Sequence, residues 1–317
     1  MRAAKRLRLE VVSWDMAVWW TSIAGIVIIA WTLREIFRDL FQPSATGSLS
    51  SFVAQRLFRV SKTIPPMMRI SGPLSIVVVI FCWTFAVAAG FALIYWGRFP
   101  QAFHAPMQES REPVGRFWTV LYFSLASLTT LGGGELEPTG QWVRIVSACE
   151  SLIGMLLITA SISWIVFIYP ALGRMRSLGR RANNIFRAQD EAGVDVLSAN
   201  PDSLLVDLAA EVIRLRVDFI HFPLIYYFHA DTEGASLPRA MLRLIELCDQ
   251  ASDPSQPAPR RLSAAMLRQA ITDMAGVLTQ RFLRDARDKE PAEVFRAMMR
   301  DHREHLDAKD KDAKDAG

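Results

Sequence analysis

The sequence predicts an all-α membrane protein with an additional amino-terminal membrane helix and a helical, polar domain after the last membrane segment. Three observations carry this reading. Residues 16–33, 70–97 and 151–173 hold no Asp, Glu, Lys or Arg, and a bilayer crossing needs about 20 apolar residues at about 1.5 Å rise each. Between the second and third runs, residues 117–129 form a shorter apolar segment that leads into Thr-Thr-Leu-Gly-Gly-Gly-Glu. Beyond residue 173 charged residues return and apolar ones recur at helical spacing.

Residues 1–15 form a basic amino-terminal segment, with Arg2, Lys5, Arg6 and Arg8 ahead of the first apolar run, residues 16–33. This order is superficially that of a secretory signal. The apolar stretch is too long for one, and no small-x-small cleavage site follows before Arg34 and Glu35, so it reads as a retained helix. Trp19, Trp20 and Trp31 lie near its ends, and Tyr95 and Trp96 close the second run, as aromatic residues do at headgroup level. The first run is the shortest of the three, and it either crosses the bilayer or lies in its interface. The chain of 317 residues is 51% hydrophobic, with nine Trp and a net charge of +4. Clustering of apolar residues, rather than composition, therefore carries the membrane assignment.

Charge sets the expected orientation. The linker 34–73 carries Arg34, Arg38, Arg56, Arg59, Lys62 and Arg69 against Glu35 and Asp39, and Arg174, Arg176, Arg180 and Arg181 follow the last run. Both read as cytoplasmic by the positive-inside rule. The loop before the glycines has only Arg98, Arg111 and Arg116, with Glu109 and Glu112, and reads as external. Three crossings then put Arg2 to Arg8 outside as well, against the rule.

Residues 117–129 would be only about 20 Å long as a helix, too short to span. A segment that enters a membrane and returns keeps its irregular backbone only where protein buries it or water meets it. The stretch Tyr-Phe-Ser-Leu-Ala-Ser-Leu-Thr-Thr-Leu-Gly-Gly-Gly-Glu from Tyr122 to Glu135, with Pro138, Thr139 and Gly140 after it, resembles the pore helix and filter of potassium channels in which two membrane helices flank one pore loop. Their Thr-Val-Gly-Tyr-Gly loop replaces an ion's hydration shell with backbone carbonyls. The resemblance covers residues 74–170. It implies a pore-loop channel fold over 74–173: outer helix 74–96, pore helix 117–129, filter 130–134 and inner helix 141–170. Carried over in order, Thr130 matches the filter threonine, Leu131 the valine, Gly132 and Gly134 the two glycines, and Glu135 the usual aspartate. Gly133 stands where the family has Tyr or Phe. The side chain that would pack the filter against its pore helix is missing, so weaker discrimination between potassium and sodium is expected. The glycines alone are also compatible with an ordinary turn, or with a phosphate loop, although no Lys follows them as it does in a P-loop.

Glu135 and Glu137 would form carboxylate rings at the outer mouth of a symmetric assembly, or be plain solvated loop residues. Glu150 lies within the last helix, where an ionisable group marks a functional position; bracing the back of the filter is the role expected of it. Gly154 either matches the hinge glycine of the family's inner helix or allows close packing against the pore helix. Thr159, Ser161 and Ser163 line a cavity or bond their own helix backbone. A single pore loop cannot enclose a pore, whereas closed symmetry brings several to one axis. The resemblance implies a homotetramer in the lipid bilayer of the cell's inner membrane, conducting K+ passively, with no cofactor, no further metal and no nucleic-acid partner. A membrane sensor that keeps the scaffold without conducting is the competing class, and Gly133 keeps it open.

Residues 174–317 read as a helical cytoplasmic domain with a disordered tail from 308. Leu205, Leu208, Val212 and Leu215 mark one amphipathic helix, and Leu267, Ile271, Met274, Leu278 and Phe282 another. Residues 241–248 give a shorter helix, and 253–259, with three prolines, a linker. No Gly-x-Gly-x-x-Gly follows a strand, so a nucleotide-binding regulator domain is not supported. His221, His229 and Asp231, or His302 with His305, would make only incomplete metal shells. Cys82, Cys149 and Cys248 are too scattered for a disulfide framework or a zinc knuckle.

Overall fold

A computed structural model describes residues 2–41, 48–104, 113–132, 136–199, 203–229 and 233–303. In chain order the helices are α1 (Arg2–Phe41), α2 (Ser48–Ser61), α3 (Pro65–Trp96), α4 (Pro113–Leu128), α5 (Gln141–Ala192), the single turn α6 (Val196–Ala199), α7 (Ser203–His221), α8 (Leu237–Ala251), α9 (Ala258–Arg281) and α10 (Pro291–Arg303). Two two-residue strands, β1 (Phe103–His104) and β2 (Glu137–Pro138), pair antiparallel with His104 opposite Glu137. The chain divides into two compact units: Met1–Leu49 with Val77–Ile165, and Ser50–Ile76 with Val166–Gly317. Among the described residues, three helical stretches are long and apolar enough to cross a membrane, Val18–Phe41, Ile70–Trp96 and one within Gln141–Ala192. The protein is an all-α membrane protein.

In the first unit, α1 lies along α3. A Cβ added at Gly25 would come 2.3 Å from the Gly90 carbonyl oxygen, and one at Gly97 would meet Val18 and Thr21 at 3.0 Å. The Arg98 guanidinium donates to the Ser22 hydroxyl at 3.2 Å. Partners on α3 thus fall from 97 to 90 as those on α1 rise from 18 to 25, so the helices run antiparallel. Small residues permit such approach where lipid gives no hydrophobic drive to association. At the far end of α1 the buried Glu35 carboxylate accepts from the Leu49 amide at 3.3 Å, at the positive end of α2. The core of this unit joins α3, α4 and the start of α5 through Phe91, Tyr95, Phe99, Phe103, Phe123, Leu128 and Val143.

Two helices extend further than apolar patterning predicts. The outer helix begins at Pro65 rather than 74, with Pro73 inside it, and the inner helix continues past Pro170 to Ala192. A proline forfeits one i to i−4 hydrogen bond and costs about 3 kcal/mol, which neighbouring contacts offset. Around Pro170 these are the buried Ile168, Ala171, Leu172 and Met175, together with a bidentate pair from Arg174 to Asp218 at 2.7 and 2.6 Å. The short helix expected over 117–129 starts four residues earlier, at Pro113, and ends at Leu128.

The second unit is a helical bundle. The stripe Leu205, Leu208, Val212 and Leu215 is buried on α7, and Leu267, Ile271, Met274 and Leu278 are buried on α9. Met241, Leu244, Leu247 and Cys248 of α8 and Val294, Phe295 and Met298 of α10 complete the interior. An aromatic cluster ties α2 to this bundle. Phe58 packs on Tyr226, Tyr227, His229 and His302, and Tyr226 stacks on Phe282 at 4.2 Å between ring centroids. Next to it Lys62 pairs with Asp301, which also accepts from the Tyr226 hydroxyl at 2.7 Å.

Candidate functional site

The carboxy-terminal turn of α4 is the centre of the candidate site. Its last carbonyls are capped by the residues that follow: the Thr130 amide donates to the Ser127 oxygen at 3.1 Å and the Leu131 amide to the Ala126 oxygen at 2.9 Å. This pair of bonds is a Schellman motif, which requires a left-handed residue at its first position past the helix, most often glycine. Here that residue is Thr130, at φ +56. A β-branched residue in this region is strained by about 1–2 kcal/mol, because its Cβ crowds the backbone carbonyls. Gly132 follows at φ +80, which glycine adopts freely. Residues 129–132 are exposed in the single chain, Leu131 by 77%.

Helix α5 holds this turn from behind. The Ser151 hydroxyl donates to the Ser127 carbonyl at 2.9 Å, and Ser147 and Ser127 hydroxyls lie 3.3 Å apart. One turn on, Gly154 sits directly against the end of α4: an added Cβ would fall 1.8 Å from the Leu128 oxygen and 2.7 Å from its carbonyl carbon. Of the two readings of Gly154, the geometry provides close packing, here against the end of α4.

Glu150 joins three helices. It is fully buried, accepts from the Tyr95 hydroxyl of α3 at 2.7 Å, and also accepts from the Ser124 hydroxyl of α4, which lies within 2.8 Å of the Ala88 carbonyl. A buried carboxyl group persists in an apolar interior only when hydrogen bonds satisfy it, and these two do so. Tyr95, Ser124, Ser127 and Ser151 escaped sequence reasoning. Spacing on a single helix cannot show which hydroxyls of three helices converge on one carboxyl.

Glu137 is exposed on β2 opposite His104. The Thr139 amide donates to the Ala102 carbonyl at 2.9 Å, and Arg144 donates to the Pro138 carbonyl at 2.7 Å, so the chain leaving the loop is pinned to the segment after α3. Arg98 stacks over Trp142 at 4.4 Å. Gly133, Gly134 and Glu135 lie outside the described residues. Thr159 and Ser161 donate to the backbone carbonyls four residues before them, Met155 and Leu157. Among the described residues no group of three or more His, Cys, Asp or Glu is placed to hold a metal ion.

Residues 74–168 match a family described as "Ion channel". The chain is also 23% identical over 276 residues to an uncharacterized membrane protein, YdjJ, of Bacillus subtilis (strain 168), a similarity that covers 84% of this chain and 79% of that protein. No solved structure matches. The matched family stretch holds α4, its carboxy-terminal turn, Glu150 and Gly154, and stops before the helical bundle.

Proposed function

We propose that this protein is a passive cation channel in which four copies bring residues 130–134 to a shared axis and conduct potassium, with other monovalent cations discriminated less sharply. One observation carries the reading: α4 is too short to span, and its carboxy-terminal turn leaves residues 129–132 uncovered between two membrane-length helices. At membrane depth such backbone needs protein or water around it, and neighbouring copies around an aqueous path supply both. The negative end of the α4 dipole at this turn favours a cation there. The "Ion channel" family match over the same residues supports the assignment, and a channel needs no enzymatic machinery.

The further details follow from this reading. Glu137, with Glu135, concentrates cations at the entrance, and Glu150 with Gly154 fixes the filter from behind. Gly133 supplies a carbonyl but no aromatic ring, which accounts for the relaxed selectivity. The basic residues of the 34–73 linker and Arg174, Arg176, Arg180 and Arg181 support, by the positive-inside rule, a cytoplasmic bundle in a protein of the inner membrane. Rubidium uptake into liposomes holding the purified protein tests conduction, and reversal potentials under potassium and sodium gradients test selectivity. Absence of uptake under every condition assigns the scaffold to sensing or assembly instead, and a potassium preference as steep as that of a tyrosine-containing filter removes the role given to Gly133.

A further inference from the structure

Helix α2 links two of the membrane-length stretches: Val18–Phe41 ends shortly before Ser48, and Ile70–Trp96 begins shortly after Ser61. Because α1 and α3 run antiparallel, both connections lie on one side of the bilayer. A chain advances at most about 3.6 Å per residue, so these two tethers hold α2 close to the headgroups. From residue 40 to Ile70 the sequence has no Asp or Glu, against Arg56, Arg59, Lys62 and Arg69. The link is therefore basic throughout.

At 3.6 residues per turn α2 presents two opposed faces. Ser50, Ala54, Phe58 and Ser61 are buried, and Phe58 is held by the aromatic cluster of the bundle. Lys62, just past the helix, turns to Asp301 of the bundle. The opposite face carries Phe52 and Val60, 56% and 50% exposed, with Arg56 and Arg59 exposed beside them. The Arg56 guanidinium lies over the Phe52 ring at 5.0 Å, which keeps charge and ring on one patch. A single exposed apolar side chain needs no explanation. Here two of them accompany two arginines on a helix that the chain tethers to the membrane, and the bundle already occupies the other face. A second copy offering the same face would set arginine against arginine, whereas an anionic leaflet complements the charge and accepts the apolar side chains.

We infer that α2 lies on the bilayer surface and binds anionic phospholipid, with Arg56 and Arg59 on headgroup phosphates and Phe52 and Val60 at the acyl boundary. Guanidinium groups suit this role because they meet phosphate oxygens through paired N–H groups. The helix is then held between leaflet and bundle, by lipid charge on one side and by Phe58 on the other. The inference rests on the membrane assignment and not on conduction, so it applies equally to a scaffold that passes no ions.

The test places the full chain in nanodiscs of phosphatidylcholine alone and in nanodiscs where phosphatidylglycerol replaces part of it, and follows hydrogen exchange of the α2 amides by mass spectrometry. Exchange across α2 is expected to slow at least about tenfold in the anionic discs, as two arginines near an anionic surface warrant. R56Q/R59Q abolishes that difference. R261Q/R296Q, which removes two exposed arginines from α9 and α10 and so matches the change in charge, preserves it. In the wild type the difference shrinks as salt rises, a readout that stands even if R56Q/R59Q misfolds. Equal exchange in both discs, a difference that salt does not weaken, or one that a folded R56Q/R59Q retains, overturns the inference. Protection that instead vanishes on deletion of residues 304–317, or grows with the number of copies per disc, gives the face to the chain's own tail or to a second copy and overturns it too.

Discussion

Replacing Gly154 by Ala separates packing from hinging, because the two roles predict opposite signs. Alanine favours a helix interior over glycine by about 1 kcal/mol, so a glycine kept only for flexibility gives a more stable protein when replaced. At Gly154, however, the new Cβ falls 1.8 Å from the Leu128 oxygen, whereas ordinary contact begins near 3.4 Å. The difference, 3.4 minus 1.8, demands a separation of 1.6 Å between two backbones, neither of which has a side chain to swing aside. Overpacking of this kind costs about 1–3 kcal/mol, and the backbone contact places it at the upper end. The net expectation is destabilisation by about 1–2 kcal/mol. Gly173, on the same helix, is the control: an added Cβ there meets nothing within 4 Å, so G173A raises stability by up to about 1 kcal/mol. Thermal unfolding followed by tryptophan fluorescence in detergent reads both. If G154A unfolds at or above the wild-type temperature, α5 does not rest on the end of α4 as described, and the support assigned to the loop fails.

Other perturbations address the rest of the site. T130N, which suits the left-handed conformation, raises the unfolding temperature by relieving about 1 kcal/mol of strain while lowering rubidium uptake; a fall in stability contradicts the capping geometry. Y95F removes one buried hydrogen bond and lowers stability by about 1 kcal/mol, and E150V lowers it by about 1–3 kcal/mol by taking the carboxyl acceptor from the buried Tyr95 hydroxyl, while the Ser124 hydroxyl keeps the Ala88 carbonyl at 2.8 Å. Their combination in a double-mutant cycle falls short of additivity by more than about 0.5 kcal/mol, and simple additivity refutes the shared network. Burial, with His229 and Lys62 nearby, holds the His302 imidazole down at about 3 against the pull of Asp301. Below about 6.5 the unfolded chain takes up a proton that the folded state refuses, so stability falls as pH drops from 6.5 towards 3, by at most about 1.4 kcal/mol per unit. H302Q flattens that slope in urea or thermal unfolding, and an unchanged slope excludes His302 as its source.

The parts that patterning revealed are those where one physical constraint acts alone. Uninterrupted apolar length identified the membrane helices. A 13-residue apolar segment too short to span marked most of α4, and 3.6-residue periodicity placed α7 and α9. Where constraints compete, local signals mislead. Pro170 marks a stop by propensity, yet the Arg174–Asp218 pair and the buried residues beside it carry the helix on to Ala192. Thr130 matches a filter threonine by resemblance, which carries no backbone conformation; closing the end of α4 puts it in the left-handed region. The Tyr95, Ser124 and Glu150 network joins residues distant in sequence. It leaves no periodic trace, since it is specified only once helices have packed.

The contacts around Gly154 also limit how the inner helix can move. Ser151 holds the Ser127 carbonyl and Gly154 abuts the Leu128 oxygen within one turn of each other, so α5 and the end of α4 touch backbone to backbone. A bend of α5 centred on Gly154 opens that contact or drags the Schellman turn with it. Thr130, already strained, lies two residues beyond Leu128. In a conducting assembly, inner-helix motion at this level therefore acts on the loop itself. A bend that spares the loop has to lie further along, at Pro170, about 24 Å away at 1.5 Å per residue, where the missing i to i−4 hydrogen bond already loosens the helix.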